Sequence, residues 1–182
     1  MIQPNASPSE KQSPFYEVNE SFCQTFEKYI RNKNGISSGS YNAWSYSVIG
    51  KINHPTEWIL EYKKSTFSSG NLLLSSKHQN LLTSVIWKTK GDTTSEFFIR
   101  KRKLKDYIFK NEKLSHITND YTLISNDNFN EKKIHLLLKI LKPIIDTKEI
   151  YLIKNQNKEL VIELRTDRHY FDIFNQLIDF KF

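Results

Sequence analysis

The chain has 182 residues, 38% of them apolar and 26% charged, with a net charge of +7 at neutral pH. That composition excludes a disordered chain, and at this length folding buries roughly 70% of the surface exposed when unfolded, so no disulfide or metal staple is required. Cys23 is the only cysteine, which excludes an intrachain disulfide, a Cys-x-x-Cys redox pair and a thiolate-dominated zinc site within one chain.

Residues 1–14 hold Pro4, Pro8 and Pro14 among Ser, Asn and Gln and offer little to bury, so they are expected to be a disordered tail whose removal leaves the fold intact. They also lack the basic start and apolar core of a signal peptide, and no run in the chain approaches the about 20 apolar residues of a membrane span. A cytoplasmic protein without a membrane span is the expectation. Val18, Phe22, Phe26, Tyr29 and Ile30 recur at helical spacing, which predicts a helix over about residues 17–32 with Asn19 or Ser21 as N-cap.

A Ser/Gly loop over 36–42 is expected to lead into a strand over 43–52, where Trp44, Tyr46 and Val48 alternate with Ser45, Ser47 and Ile49. Residues 57–67 alternate again, and the two strands should pair as a hairpin. A short strand at 72–74, a strand at 82–89 and a strand at 94–102 complete an expected meander of four or five strands. One or two helical turns over 104–110 and a strand over 120–125 follow.

The last third has the clearest periodicity. Asp127 or Asn128 is placed to cap a helix carrying Phe129, Ile134, Leu137, Leu138 and Leu141, interrupted near Pro143. Strands over 149–154 and 159–165 flank Asn155-Gln156-Asn157-Lys158 as a hairpin, and Asp167 is expected to cap a final helix. Strands in runs, with helices at both ends, predict an α+β fold. Its mainly antiparallel sheet of short aromatic-rich strands is accompanied by an N-terminal helix and two C-terminal helices around a β-hairpin. Residues 15–182 read as a single domain. A division into two lobes, 15–110 and 117–182, is left open by the pattern.

The net charge is local: residues 100–113 carry seven basic and two acidic side chains, five of the seven net positive charges. Phe98, Arg100, Lys101, Arg102, Lys103, Lys105 and Tyr107 form a basic and aromatic stretch, the candidate binding patch. Aromatic rings and guanidinium groups are favoured interface anchors, and a local basic patch steers an acidic partner. The same residue types neutralise phosphates and stack on bases in proteins that bind single-stranded nucleic acid. The structural alternative is that Phe97 and Ile99 are core while the charges keep an edge strand soluble.

Catalytic patterns are incomplete. Glu61-Tyr62-Lys63 has the Glu-x-Lys form of metal-dependent nucleases, but no Asp precedes Asp92 to act as its partner. Asp146 with Glu163-Leu164-Arg165 substitutes Arg, which does not titrate, for the lysine. His54, His78, His116, His135 and His169 form no paired metal-binding pattern, and each reads as a surface or hydrogen-bonded histidine. Phosphate loops and nucleophile elbows are absent from the sequence, and Cys23 beside Phe22 reads as a packed residue.

The reading is a non-catalytic binding or adaptor protein that meets the acidic surface of a protein partner and needs neither metal nor cofactor. Single-stranded nucleic-acid binding is the alternative. A small-ligand protein, or an enzyme whose pocket is built from distant residues, is a third. Oligomeric state is not encoded in any pattern of the chain.

Overall fold

The computed structural model describes residues 1–65, 83–91, 96–103, 114–116, 120–125 and 130–180, with 114–116 by backbone alone. The expected strand at 72–74 and the helical turns at 104–110 lie outside the described residues. The chain divides into two compact units, Met1–Trp87 with Arg165–His169, and Lys88–Leu164 with Tyr170–Phe182. The division runs within strands.

Unit 1 carries strand β1 (Ile2–Pro4), a 3-10 turn (Glu10–Gln12), helix α1 (Pro14–Arg31), strands β2 (Ile36–Tyr41), β3 (Ser45–Ile52) and β4 (Trp58–Ser65), and most of β5 (Thr83–Lys90). The strand order is β1-β2-β3-β4-β5. β1 joins β2 in parallel, while β2, β3 and β4 pair antiparallel. The expected disordered tail is thus corrected: Ile2 is buried and the Asn5 amide donates to the Tyr41 carbonyl at 2.7 Å. One apolar side chain and an unpaired edge of β2 suffice to order a segment whose composition is polar. The expected loop at 36–42 is likewise strand β2, because Ser and Gly there complete the hydrogen bonds of β3.

Helix α1 begins at Pro14, earlier than expected, with the Ser13 hydroxyl accepting from the Phe15 amide at 3.3 Å. Proline suits the first helical position because its missing N–H is not needed there. The buried stripe is Tyr16, Asn19, Phe22, Cys23, Phe26 and Ile30, while Val18 is exposed. Each fully buried large apolar side chain contributes about 2 kcal/mol relative to exposure. Gly50 on β3 permits the close approach of α1, since a Cβ there would overlap Ile30 and lie 2.9 Å from the Phe26 ring. The β3 and β4 faces toward α1 supply Tyr46, Val48, Trp58, Leu60 and Tyr62 to the core. Trp44 is outside β3 and partly exposed.

Unit 2 carries the end of β5, then β6 (Phe97–Lys101), β7 (Leu114–His116), β8 (Tyr121–Ser125), helix α2 (Glu131–Asp146), β9 (Ile150–Gln156), most of β10 (Glu159–Thr166) and helix α3 (Phe171–Leu177). In the strand order β10-β9-β6-β8-β7 the pairings β10-β9, β9-β6, β6-β8 and β8-β7 are antiparallel. Asn157 and Lys158 both have positive φ, 54° and 63°, the two-residue turn whose twist matches a hairpin. Helix α2 is capped by Asn130, whose side chain accepts from the Lys133 amide at 3.1 Å. It runs through Pro143 without interruption, since Ile144 and Ile145 on the far side are buried and hold the last turn. The final helix starts at Phe171, after Tyr170 in the left-handed region, and not at Asp167. The Thr166 hydroxyl takes the Arg168 amide at 2.9 Å and directs that segment away from helix. The fold class is α+β with a mainly antiparallel sheet, one N-terminal helix and two C-terminal helices around the β9-β10 hairpin.

Candidate functional site

The basic and aromatic stretch falls on β6, and β6 is an interior strand. It pairs with β9 on one side and β8 on the other. Two expectations are corrected by that pairing. β6 is neither the last strand of an N-terminal meander nor a soluble edge, because hydrogen bonds to β8 and β9 occupy both of its sides. An interior strand is chosen by its apolar face, and Phe97 and Ile99 are 0% and 1% exposed.

Strand alternation splits the candidate residues. Phe98 and Arg100 share one face and are partly exposed, whereas Lys101 lies on the other face and is exposed. Arg102 and Lys103 follow the strand, and the Arg102 amide donates to the Asp120 carbonyl at 2.9 Å. Lys105 and Tyr107 lie outside the described residues. Phe98 and Arg100 are therefore separated from Lys101 by the sheet.

A narrower set does come together. Across β6, Phe98 is opposite Lys154 on β9 and Ile124 on β8, while Arg100 is opposite Leu152 and Thr122. Leu152, Lys154 and Ile124 are partly exposed, as are Phe98 and Arg100. The Arg100 guanidinium donates to the Lys101 carbonyl at 3.0 Å, which holds its head near the strand end. On β10, Glu163 is opposite Leu152 and is the carboxylate of this row. The result is a sheet face with one aromatic ring, two cations, one carboxylate and two aliphatic groups. Lys154 and Leu152 were invisible as candidates, since β9 is distant from β6 in the chain and only the pairing register aligns them.

A second constellation, in unit 1, tests whether enzyme chemistry is assembled. His169, read from sequence as a surface or hydrogen-bonded residue, stacks on Phe22 with ring centroids 4.0 Å apart and planes 17° from parallel. Its Nε2 is 3.5 Å from the Tyr46 hydroxyl, which is also 3.2 Å from the Thr83 hydroxyl. The Tyr62 hydroxyl donates to the His169 carbonyl at 2.6 Å and accepts from the Trp87 indole at 3.2 Å. Asn19, expected as an N-cap, lies in the middle of α1: its amide donates to the Asn42 carbonyl at 2.9 Å and its Oδ1 accepts from Lys64 Nζ at 2.9 Å.

The electrostatics make this cluster chemically quiet. Burial, assisted by Lys64 and opposed by Asp167, pushes the His169 imidazole down to about 4, so it is neutral near pH 7. Burial first, then Glu20 and Glu27, push the Cys23 thiol up to about 12, against a smaller lowering by Lys64. A nucleophilic cysteine needs the opposite shift. Burial likewise raises Tyr46 and Tyr62 far above the ordinary phenol range and lowers Lys64. The polar tips of Tyr46, Tyr62, Trp87, Asn19 and Lys64 each meet a partner, which is what a buried polar layer requires for stability.

No family model, curated protein or solved structure matches this chain. Function must therefore be argued from the chain's own side chains. Among the described residues no group of three His, Cys, Asp or Glu is placed to hold a metal ion, and no helix is long and apolar enough to cross a membrane. The Glu61-x-Lys63 pair lies on one face of β4, and Asp146 at the end of α2 is paired with Lys142 at 2.9 Å.

Proposed function

We propose that the protein is a non-catalytic binding protein that docks an acidic partner protein on the unit 2 sheet face carrying Phe98 and Arg100. The observation that supports this reading is the cross-strand grouping of Phe98, Arg100, Lys154, Leu152 and Ile124, all partly exposed on three adjacent strands. An aromatic ring and an arginine surrounded by aliphatic groups have the composition of an interface centre, where desolvated contacts of these residue types carry most of the binding energy. Arg100 and Lys154 supply the steering field for an acidic surface. A lone buried cysteine suits a reducing compartment, and the cytoplasm is the proposed location.

The second reading is single-stranded nucleic acid. It draws on Phe98 lying between Arg100 and Lys154 on a sheet, the arrangement in which a base stacks on an aromatic ring and its phosphates meet cations. Pull-down of the full chain from its native host, with and without nuclease, separates the two readings. A partner that survives nuclease treatment and is lost with Arg100→Glu supports protein docking. A partner lost on nuclease treatment, with binding to single strands that falls steeply with salt, replaces it with the second reading. Binding of any partner unaffected by Arg100→Glu and by Phe98→Ala removes this face from consideration.

A further inference from the structure

Unit 1 contains a cleft of about 380 Å³ whose lining includes Asn5, Ser40, Ser45, Ser47, Lys63 and Ser65. Its volume falls at the small end of ordinary ligand pockets. The pairing register explains its chemistry. Ser40, Ser47 and Lys63 sit side by side across β2, β3 and β4, and Ser45 and Ser65 are paired in the next row on the same face. Three strands thus direct four hydroxyl groups and one ammonium to one place, on the sheet face opposite the one that packs on α1.

The lining has donors and no carboxylate. Backbone groups of β3 are committed to β2 and β4, so recognition must come from the side chains. The Ser45 hydroxyl is already donated to Asn42 Oδ1 at 3.1 Å. Among the described residues the hydroxyl groups of Ser40, Ser47 and Ser65 have no hydrogen-bond partner, and the Lys63 ammonium has no ion pair. Ser65 is 3% exposed and lies on the cleft face beside Ser45.

We infer that this cleft binds a small oxyanion ligand of the phosphomonoester class, with Lys63 neutralising its charge and the hydroxyl groups of Ser40, Ser47 and Ser65 donating to its oxygens. Charge-assisted hydrogen bonds from an ammonium and from hydroxyl groups suit tetrahedral oxygen acceptors. A cationic ligand would meet Lys63 with nothing to offset it. A neutral sugar would leave the ammonium without a counter-charge and would lack carboxylates to accept from its hydroxyl groups. The site is distinct from the unit 2 sheet face and does not depend on it.

The test uses the full chain labelled with 15N and titrated with inorganic phosphate at constant ionic strength, against chloride as control and glucose as a neutral probe. Saturable shifts at the amides of Ser40, Ser47, Lys63 and Ser65 are expected with phosphate and not with chloride or glucose. In Lys63→Met the affinity should fall about tenfold or more, as loss of one charge-assisted contact predicts. Ser47→Ala should weaken it less, and Arg100→Glu should leave it unchanged. Shifts confined to other amides, an unchanged affinity in Lys63→Met, stronger shifts with glucose, or no shift with phosphate would each overturn the assignment. Because Lys63 is exposed on a sheet surface, Lys63→Met is expected to fold, and its amide spectrum reports directly whether it does.

Discussion

Phe22 in unit 1 and Phe98 in unit 2 are both aromatic residues with cations nearby, and they illustrate opposite uses of the same chemistry. Phe22 is buried, stacked on His169 and ringed by Phe26, Tyr46 and Tyr62 at centroid distances of 4.4–6.0 Å. The cation near that cluster, Lys64, is tied to Asn19. Phe98 is only partly buried, and its cross-strand neighbours Lys154 and Ile124 are partly exposed. What separates core from interface is whether the rings and polar tips around an aromatic side chain are closed over it by the rest of the unit.

The largest expected effect breaks the closed cluster. Phe22→Ala should lower unfolding free energy in urea by about 3–5 kcal/mol, the usual cost of removing a core phenylalanine, whereas Phe98→Ala should cost about 1–2 kcal/mol. Equal losses at the two positions would place Phe98 in a core as closed as that of Phe22 and remove it from the interface.

Tyr62→Phe is next. It deletes the hydroxyl that bridges the His169 carbonyl and the Trp87 indole, and should cost about 1–3 kcal/mol by leaving a buried polar group short of a partner. A neutral result in urea unfolding would mean that this layer is not tightly held.

The pH response sharpens the comparison further. The folded-state pKa of His169 is depressed from the ordinary 6.5 to about 4, so between those values the unfolded chain binds a proton that the folded chain does not. Stability from this group is fully present above about pH 6.5, declines as pH falls and levels off below about pH 4. Urea unfolding across that range should show the decline, and His169→Phe, which keeps a ring against Phe22, should flatten it. An unchanged slope in the variant would assign the decline to other groups.

The smallest stability effect belongs to Arg100→Glu, expected within about 0.5 kcal/mol because its head group is at the surface. Its consequence should appear in partner binding, measured by co-purification. A large loss of stability would make Arg100 a structural residue and weaken the docking proposal.

Much of the fold was legible because it rests on local periodicity. The stripe around Phe22, Phe26 and Ile30, the alternation in β3 and β4, and the stripe through Ile134, Leu137 and Leu141 all repeat within a few turns or residues. The β9-β10 hairpin was legible through Asn157 and Lys158, which occupy the two positive-φ positions. Pairing partners beyond the two hairpins were not legible. Alternation in β6 says that Phe97 and Ile99 face one way, but not that β8 and β9 lie on either side. Ser13 was missed as a cap because Pro14 looked like the end of a tail when it is the first helical residue. β1 was missed because Ile2 is a single apolar residue among polar ones.

The sequence by itself determined the types of the strongly periodic elements, the absence of an intrachain disulfide and the concentration of charge around residues 100–113, since each is a property of neighbours along the chain. Tertiary structure alone decided that His169 lies against Phe22, that Phe98 and Arg100 meet Ile124, Lys154 and Leu152 across β6, and that Ser40, Ser47, Ser65 and Lys63 share a cleft. The physical reason is register. A one-residue slip in a strand exchanges its two faces, and which residues meet across strands is set by packing of the whole sheet and not by any local preference.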